Sequence, residues 1–294
     1  MAVRFGVSPI AWANDDMPEL GADTSVETIL ADAAAIGFAG VELGGRFPRS
    51  PGDLARLLRR HGLALIGGWY STHLLARPAE AEIAALEPHL RLLEAMGSPV
   101  FIAAETSNAI HGDRSRALRE TPRLAAADWP AFGARLAAVA DHVAQHGLRF
   151  AYHFHLGTVV ERGEDLARLL AHTPEQVGLV VDTGHAALAG VDILSLIETH
   201  PGRVAHVHAK DVRRRAFDEV VSNDRSFLDG VLAGMFTVPG DGDLDFMALA
   251  RALRRIRYDG WIVVEAEQDP GLADPRDYSA LGLATLTAAW AAAG

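Results

Sequence analysis

Two hydrophobic periods alternate along the chain. Apolar, β-branched runs of strand length occupy 4–12, 38–45, 63–70, 99–106, 148–155, 177–184, 204–211 and 261–268. Between them lie stretches such as SVETILADAAAIG, EAEIAALEPHLRLLEAMG and DLDFMALARALRRI. Their apolar residues recur every three to four positions, the period of an amphipathic helix. Several end at a glycine, the residue that most easily takes the left-handed backbone closing a helix. Eight strands, each followed by a helix, predict an α/β fold, a (β/α)8 TIM barrel formed by 1–294 as a single domain. A doubly wound sheet is the alternative, but SPIAWANDD after the first run is not the Gly-rich phosphate turn with which such sheets usually open.

Two connections are long, at about 107–127 and 212–240, and both follow strand C-termini, the face on which barrels build their sites. In the second, RSFLDGVLAGMF spaces Phe227, Leu228, Val231, Leu232 and Met235 as one face of a helix. That face is expected to cover either the mouth of the site or a subunit interface.

The polar residues stand out against this frame. In LRFAYHFHLG, His153 and His155 lie two apart and share a strand face. His153 and Asp182 are each the sixth residue of their runs, and His208 and Glu265 each the fifth of theirs. Two imidazoles and two carboxylates on four consecutive strands, at matched depth near the C-terminal ends, predict a metal site. Nitrogen and oxygen donors without sulfur suit Mn²⁺, Co²⁺, Zn²⁺ or Fe²⁺ with positions left open for substrate or water. His206 shares the face of His208 but lies deeper, as a packed imidazole orienting a ligand would. Glu267 shares the face of Glu265, and depth favours Glu265. His61, His146, His172 and His200 fall in the last turns of helices, where a cation complements the helix dipole, and receive no chemistry.

Composition narrows the function classes. The 49% hydrophobic and 22% charged fractions are those of a soluble globular protein, and with no cysteine, thiolate chemistry and disulfides are excluded. A formal charge of −11 argues against a nucleic-acid partner, which wants a clustered basic face. No apolar run approaches a membrane span and the N-terminus lacks a leader pattern, so a cytoplasmic protein is expected, with no membrane partner and a homo-oligomeric state, dimer or tetramer.

These residues resemble the xylose-isomerase-like sugar isomerase and epimerase barrels. Asp182 in VVDTGH, His208 in HVHAKD and Glu265 in WIVVEAE stand where that superfamily has its Asp, His and Glu ligands, while His153 stands where most members have Glu. Within it the chain is most similar to the inosose dehydratase family, through SPIAWANDDMPELG, YHFHLGTVVE, FTVPGDGDLDF and YDGWIVVEAEQDP. The resemblance implies a Mn²⁺- or Co²⁺-dependent lyase of inositol catabolism that removes water from 2-keto-myo-inositol (scyllo-inosose) to give a trihydroxycyclohexane-dione. A ketose isomerase or epimerase acting on a sugar or hydroxypyruvate-like substrate is the alternative, and a binding or DNA-repair barrel is disfavoured by the charge.

Elimination needs a base for the proton α to the carbonyl and an acid for the departing hydroxide. Glu42, His155, His185, Lys210 and Glu267 are the candidates at strand ends, and the sequence does not divide base from acid among them. A substrate rich in hydroxyls needs paired polar groups, for which Asn14, Asp15, Asp16, Glu105 and Arg213 are placed. Trp12, Trp69 and Tyr70 are candidate walls for the ring. Gly240–Asp241–Gly242 is read as a turn before a helix.

Overall fold

A computed structural model describes residues 3–294. Its strands are β1 (Arg4–Val7), β2 (Gly40–Leu43), β3 (Ala64–Thr72), β4 (Val100–Glu105), β5 (Arg149–Tyr152), β6 (Gly178–Asp182), β7 (Val204–Ala209), β8 (Asp211–Val212), β9 (Phe236–Thr237) and β10 (Trp261–Val264). Eight of them close a barrel in the order β1-β10-β7-β6-β5-β4-β3-β2, every barrel pair being parallel. Apart from β3, which extends past its run to Thr72, the strands are shorter than the apolar runs, because the chain leaves the ladder where loops take over its hydrogen bonds. β5 ends at Tyr152, and the amide of His155 instead bonds to Val160 O at 3.1 Å.

The helices form where the 3.6-residue period runs. Val26–Ile36 is capped by the Ser25 hydroxyl, which accepts from Thr28 N, and is closed by Gly37 at φ 106°. A C-terminal helix at Pro275–Ala292 completes the outer ring. The main core lies between strands and helices and includes Leu30, Leu90, Phe101, Leu136, Phe150 and Leu253. Inside the barrel, Ile102, Ala151, Val180 and Ala205 form one small layer, and Ile66, Trp261 and Val263 another.

The segments 107–127 and 212–240 meet over the C-terminal face. Leu118 N bonds to Arg225 O at 2.9 Å, and Arg114 pairs with Asp229 at 2.9 Å. The helix Phe227–Leu232 and the antiparallel pair β8–β9 bury Phe227, Leu228, Val231, Met235 and Phe236 with Met17, Leu118 and Leu188. Of the two coverings expected for this apolar face, the structure places it over the mouth of the barrel. The turn at 240–242 is gathered by Asp211, whose carboxylate accepts from the amides of Gly240, Gly242 and Leu244 at 3.0–3.1 Å. The following helix is capped by Asp245. Among the described residues, no helix is long and apolar enough to cross a membrane.

Candidate metal centre and active-site cavity

Parallel register sets the site. Asp182 is paired with His208 across β6–β7, and His208 with Val263 across β7–β10, so alternation carries Glu265, two residues on, to the same inner face. His153 follows the last residue of β5. The Asp182 carboxylate divides its work. Its Oδ1 accepts from His185 N at 2.8 Å and caps the short helix Thr183–Leu188. Its Oδ2 is buried with no hydrogen-bond partner, 3.4 Å from His153 Nε2 and 3.6 Å from His208 Nδ1.

His208 Nδ1 also lies 2.6 Å from Glu265 Oε2, yet off the line of a hydrogen bond. On its other side, His208 Nε2 shares Glu42 Oε1 with His206 Nε2, at 2.9 and 2.8 Å. Glu42 comes from β2, which is not a neighbour of β7, so this contact crosses the barrel interior.

The charges explain what the cluster lacks. Glu42, Asp182, Glu265 and Glu267 are all buried, with one ammonium, Lys210, among them. Against the penalty of burial, Lys210 holds the Asp182 carboxyl well below the usual range, and His208 lowers Glu42 and Glu265. His208 in turn is pushed well above an ordinary imidazole, because Glu265 and Glu42 outweigh its burial. Donor atoms that converge without bonding one another, an orphaned carboxylate oxygen, and an imidazole driven toward its cationic form all ask for positive charge at one point. The residues therefore fit a divalent cation held by His153, Asp182 and His208, whose donor atoms lie within 4.8 Å of one another, with Glu265 beside them.

The lining of the cavity over this centre includes His153, His155, His208, Glu265 and Glu267, together with Glu42, Asp15, Asp16 and Trp69. Trp69 stands edge-on to His153 and His155, with ring centroids at 5.4 and 5.8 Å. Phe227 packs behind the wall, its ring centroid 5.1 Å from that of His155. Burial, reinforced by His185, keeps the His155 imidazole well below its usual range and therefore neutral. Asp16 stands at the open mouth of the cavity as an exposed residue, yet partial desolvation of its carboxyl raises it to about 6, with Glu267 and Asp15 adding to the rise. This is the pattern of titratable groups pushed apart by their surroundings that acid–base chemistry uses.

Lys210 and His185 are fully buried behind this wall rather than in it. Lys210 Nζ lies 2.7 Å from both Glu265 Oε1 and Glu267 Oε1 and 3.1 Å from His185 Nε2. Its ammonium also sits over the Phe236 ring. Burial and Lys210 together hold His185 neutral. The pair thus holds Glu265 and Glu267 from behind.

Five residues expected to meet substrate lie outside the lining. Trp12 is packed in the core, its indole donating to Asp32 Oδ2 at 3.0 Å. Tyr70 points outward from β3 against His89 and Phe101. Glu105 is buried and occupied by its own loop, accepting from Leu74 N, Thr72 Oγ1 and Ser107 N. Arg213 clamps the cap through Gly234 O, Thr237 Oγ1 and Asp241. Asn14 turns its Oδ1 back onto the amides of Asp16 and Met17, shaping the loop that presents Asp16. In each case a nearby backbone or core partner won the side chain. Conversely, the lining includes His111, Arg49, Ser8 and Ser71, which the strand-end reading passed over. For His111 the available signal was an imidazole within the long connection after β4.

Such a donor ring at the catalytic face of a (β/α)8 barrel is the mark of a cation-assisted barrel enzyme. The chain belongs to the xylose isomerase-like TIM barrel family, which matches residues 30–289. It is 42% identical to the rhizopine catabolism protein MocC of Rhizobium meliloti, over 100% of this chain and 90% of that one. It is 39% identical to an inosose dehydratase of Geobacillus thermodenitrificans, over 94% of each chain. The identity is 37% to the inosose dehydratase of Salmonella typhimurium, over 96% of this chain and 94% of that one. An L-ribulose 3-epimerase structure superposes with a TM-score of 0.68 at 18% identity, covering 100% of this chain and 96% of that one, which is a likeness of fold.

Proposed function

We propose that the protein is an inosose dehydratase, a hydro-lyase that removes water from 2-keto-myo-inositol to give a trihydroxycyclohexane-dione. The observation that carries this reading is that His155 and Asp16 face one cavity beside the His153–Asp182–His208–Glu265 ring, the imidazole lowered by burial and the carboxyl raised to about 6. Relatives named inosose dehydratase, aligned along nearly the whole chain, support the same chemistry.

A divalent ion, Mn²⁺ or Co²⁺, held by that ring would act as a Lewis acid that polarises the substrate carbonyl. His155, kept uncharged, accepts the proton α to the carbonyl. The electron pair left on that carbon forms the new C=C bond as the β C–O bond breaks. Asp16, with a pKa close to a working pH, gives its proton to the departing hydroxide so that water leaves. The enol then becomes the dione. Lys210 and His185 keep Glu265 and Glu267 in place throughout, and Trp69, Asp15 and Arg49 bound the space for the polyol ring. Phe227 and the cap above it exclude water. All of these groups come from one chain, so the site would be complete whether the protein is a monomer or a cytoplasmic dimer or tetramer.

The test is incubation of the purified protein with 2-keto-myo-inositol and Mn²⁺ or Co²⁺, followed by mass spectrometry of the product. Loss of one water is expected. Conservation of formula with an inverted or moved carbonyl centre would establish an epimerase or isomerase instead. A second reading, a role in rhizopine catabolism, is favoured by the 42% identity to MocC. Turnover of rhizopine with none of the ketoinositol would select it.

A further inference from the structure

On the outside of the barrel, the helices Ala79–Ala95 and Trp129–Gln145 pack side by side. Glu87, Arg91 and Glu94 lie at i, i+4 and i+7 on the first; His142 lies in the last turn of the second and His146, four residues on, is its C-terminal cap, so each set forms a row along one face. The two rows meet. His142 Nε2 is 3.0 Å from Glu87 Oε2, and His146 Nδ1 is 3.2 Å from Glu94 Oε2. The imidazole rings are 5.0 Å apart, tilted by 58°. Donor atoms of Glu87, His142 and His146 all lie within 4.8 Å of one another.

An isolated imidazole–carboxylate pair is an ordinary surface contact worth little. Here two such pairs are stacked one helical turn apart, on two rigid elements, with both histidines only partly exposed. Arg91 donates to Glu87 Oε1 at 2.7 Å and to Glu94 Oε2 at 3.1 Å, which keeps both carboxylates charged and leaves Glu87 Oε2 turned toward the imidazoles. Both glutamates are held below their usual range, chiefly by hydrogen bonds to His142 and His146.

We infer that Glu87, His142 and His146 form a second site, for a borderline-soft divalent ion of the Zn²⁺ class, that clips these two helices together. Two nitrogens and one oxygen without sulfur are a common zinc donor set, and a fourth position stays open to water or Glu94. Glu94, where it does not ligate, orients His146 as second-layer carboxylates do for zinc-bound imidazoles. The site is remote from the cavity residues, so this inference stands apart from the proposed reaction.

Zn²⁺ titration by calorimetry of protein stripped of metal tests it. The wild type is expected to bind one more equivalent than His142→Ala/His146→Ala, at micromolar affinity, while the double variant keeps its turnover. Equal stoichiometry in the two proteins overturns the inference. Glu87→Gln retains both imidazoles and removes one ligand charge, so Zn²⁺ should bind this site at least tenfold more weakly, and unchanged affinity also overturns it. Cu²⁺ added to the stripped proteins should give, by electron paramagnetic resonance, one species with two nitrogen ligands in the wild type that is missing from the double variant, over and above the signal of the barrel-mouth centre common to both.

Discussion

Lys210 Nζ lies 2.7 Å from Glu267 Oε1, and both side chains are buried, Glu267 facing the cavity and Lys210 behind it. The ammonium is held charged against burial by Glu265, Glu267 and Asp182. Since Lys210 stands behind the cavity wall, its role is positioning. Lys210→Met should lower kcat by about 10–100-fold, the usual effect of removing a group that orients a ligand, with KM little changed. It also leaves three buried carboxylates with less compensation, so stability should fall by several kcal/mol, and circular dichroism must accompany the kinetics. A variant with raised KM and unchanged kcat would place Lys210 on the substrate instead.

Gly184 explains the spacing of the DTGH motif. A Cβ at this position would meet Lys210 Cγ at 2.7 Å and Cδ at 2.8 Å. Alanine favours the helix Thr183–Leu188 by up to about 1 kcal/mol, but here it would push the Lys210 stem off its partners. Gly184→Ala should therefore fold and lose activity to an extent comparable with Lys210→Met. Wild-type kcat in this variant would show that the lysine stem can yield without consequence.

Asp182→Asn separates fold from metal. Asparagine retains an Oδ1 that can cap the short helix as Asp182 does, while the orphaned anionic oxygen is replaced by a neutral donor. Elemental analysis should show about one equivalent of bound divalent ion at this centre in the wild type and nearly none in the variant, with the melting temperature of the metal-free proteins within a few degrees. Full metal content in Asp182→Asn would move the ion elsewhere.

The barrel and most of its donor ring were legible because both rest on period. Alternation along strands assigns His153, Asp182, His208 and Glu265 to one face, and the strand C-terminal rule places that face at the mouth. Contacts across the barrel carry no such period. Nothing in GVELGG states that Glu42 reaches over to His206 and His208, because β2 and β7 are joined only through the lumen. Depth along the strand favoured Glu265 over Glu267 but gave Glu267 no place of its own. The structure gives both a place, Glu265 reaching His208 and Lys210 while Glu267 meets Lys210 alone of the pair. Trp12, Tyr70, Glu105 and Arg213 were misplaced for a related reason. Their type and position suggested the cavity, whereas local partners within the loops and core captured them. His111 enters from a connection with no regular period, so only its proximity to a strand end hinted at it.

His89 provides a pH prediction away from the metal centre. Burial, chiefly, lowers its pKa from 6.5 to about 4, despite its approach to Gly68 O at 3.3 Å, and Tyr70 and Phe101 pack on its ring. The folded protein thus keeps His89 neutral while the unfolded chain binds a proton below pH 6.5. The contribution is fully present above that pH and is lost as pH falls from 6.5 toward 4, since the unfolded state gains protons that the folded one refuses. Between pH 7.5 and pH 5 the loss amounts to about 2 kcal/mol at 1.36 kcal/mol per pH unit. His89→Gln keeps a polar group near Gly68 O and removes the titration. Urea unfolding at the two pH values should therefore show wild-type stability falling by about 2 kcal/mol more than that of the variant. Parallel losses in the two proteins would mean that His89 titrates normally in the fold and that other groups set the acid sensitivity.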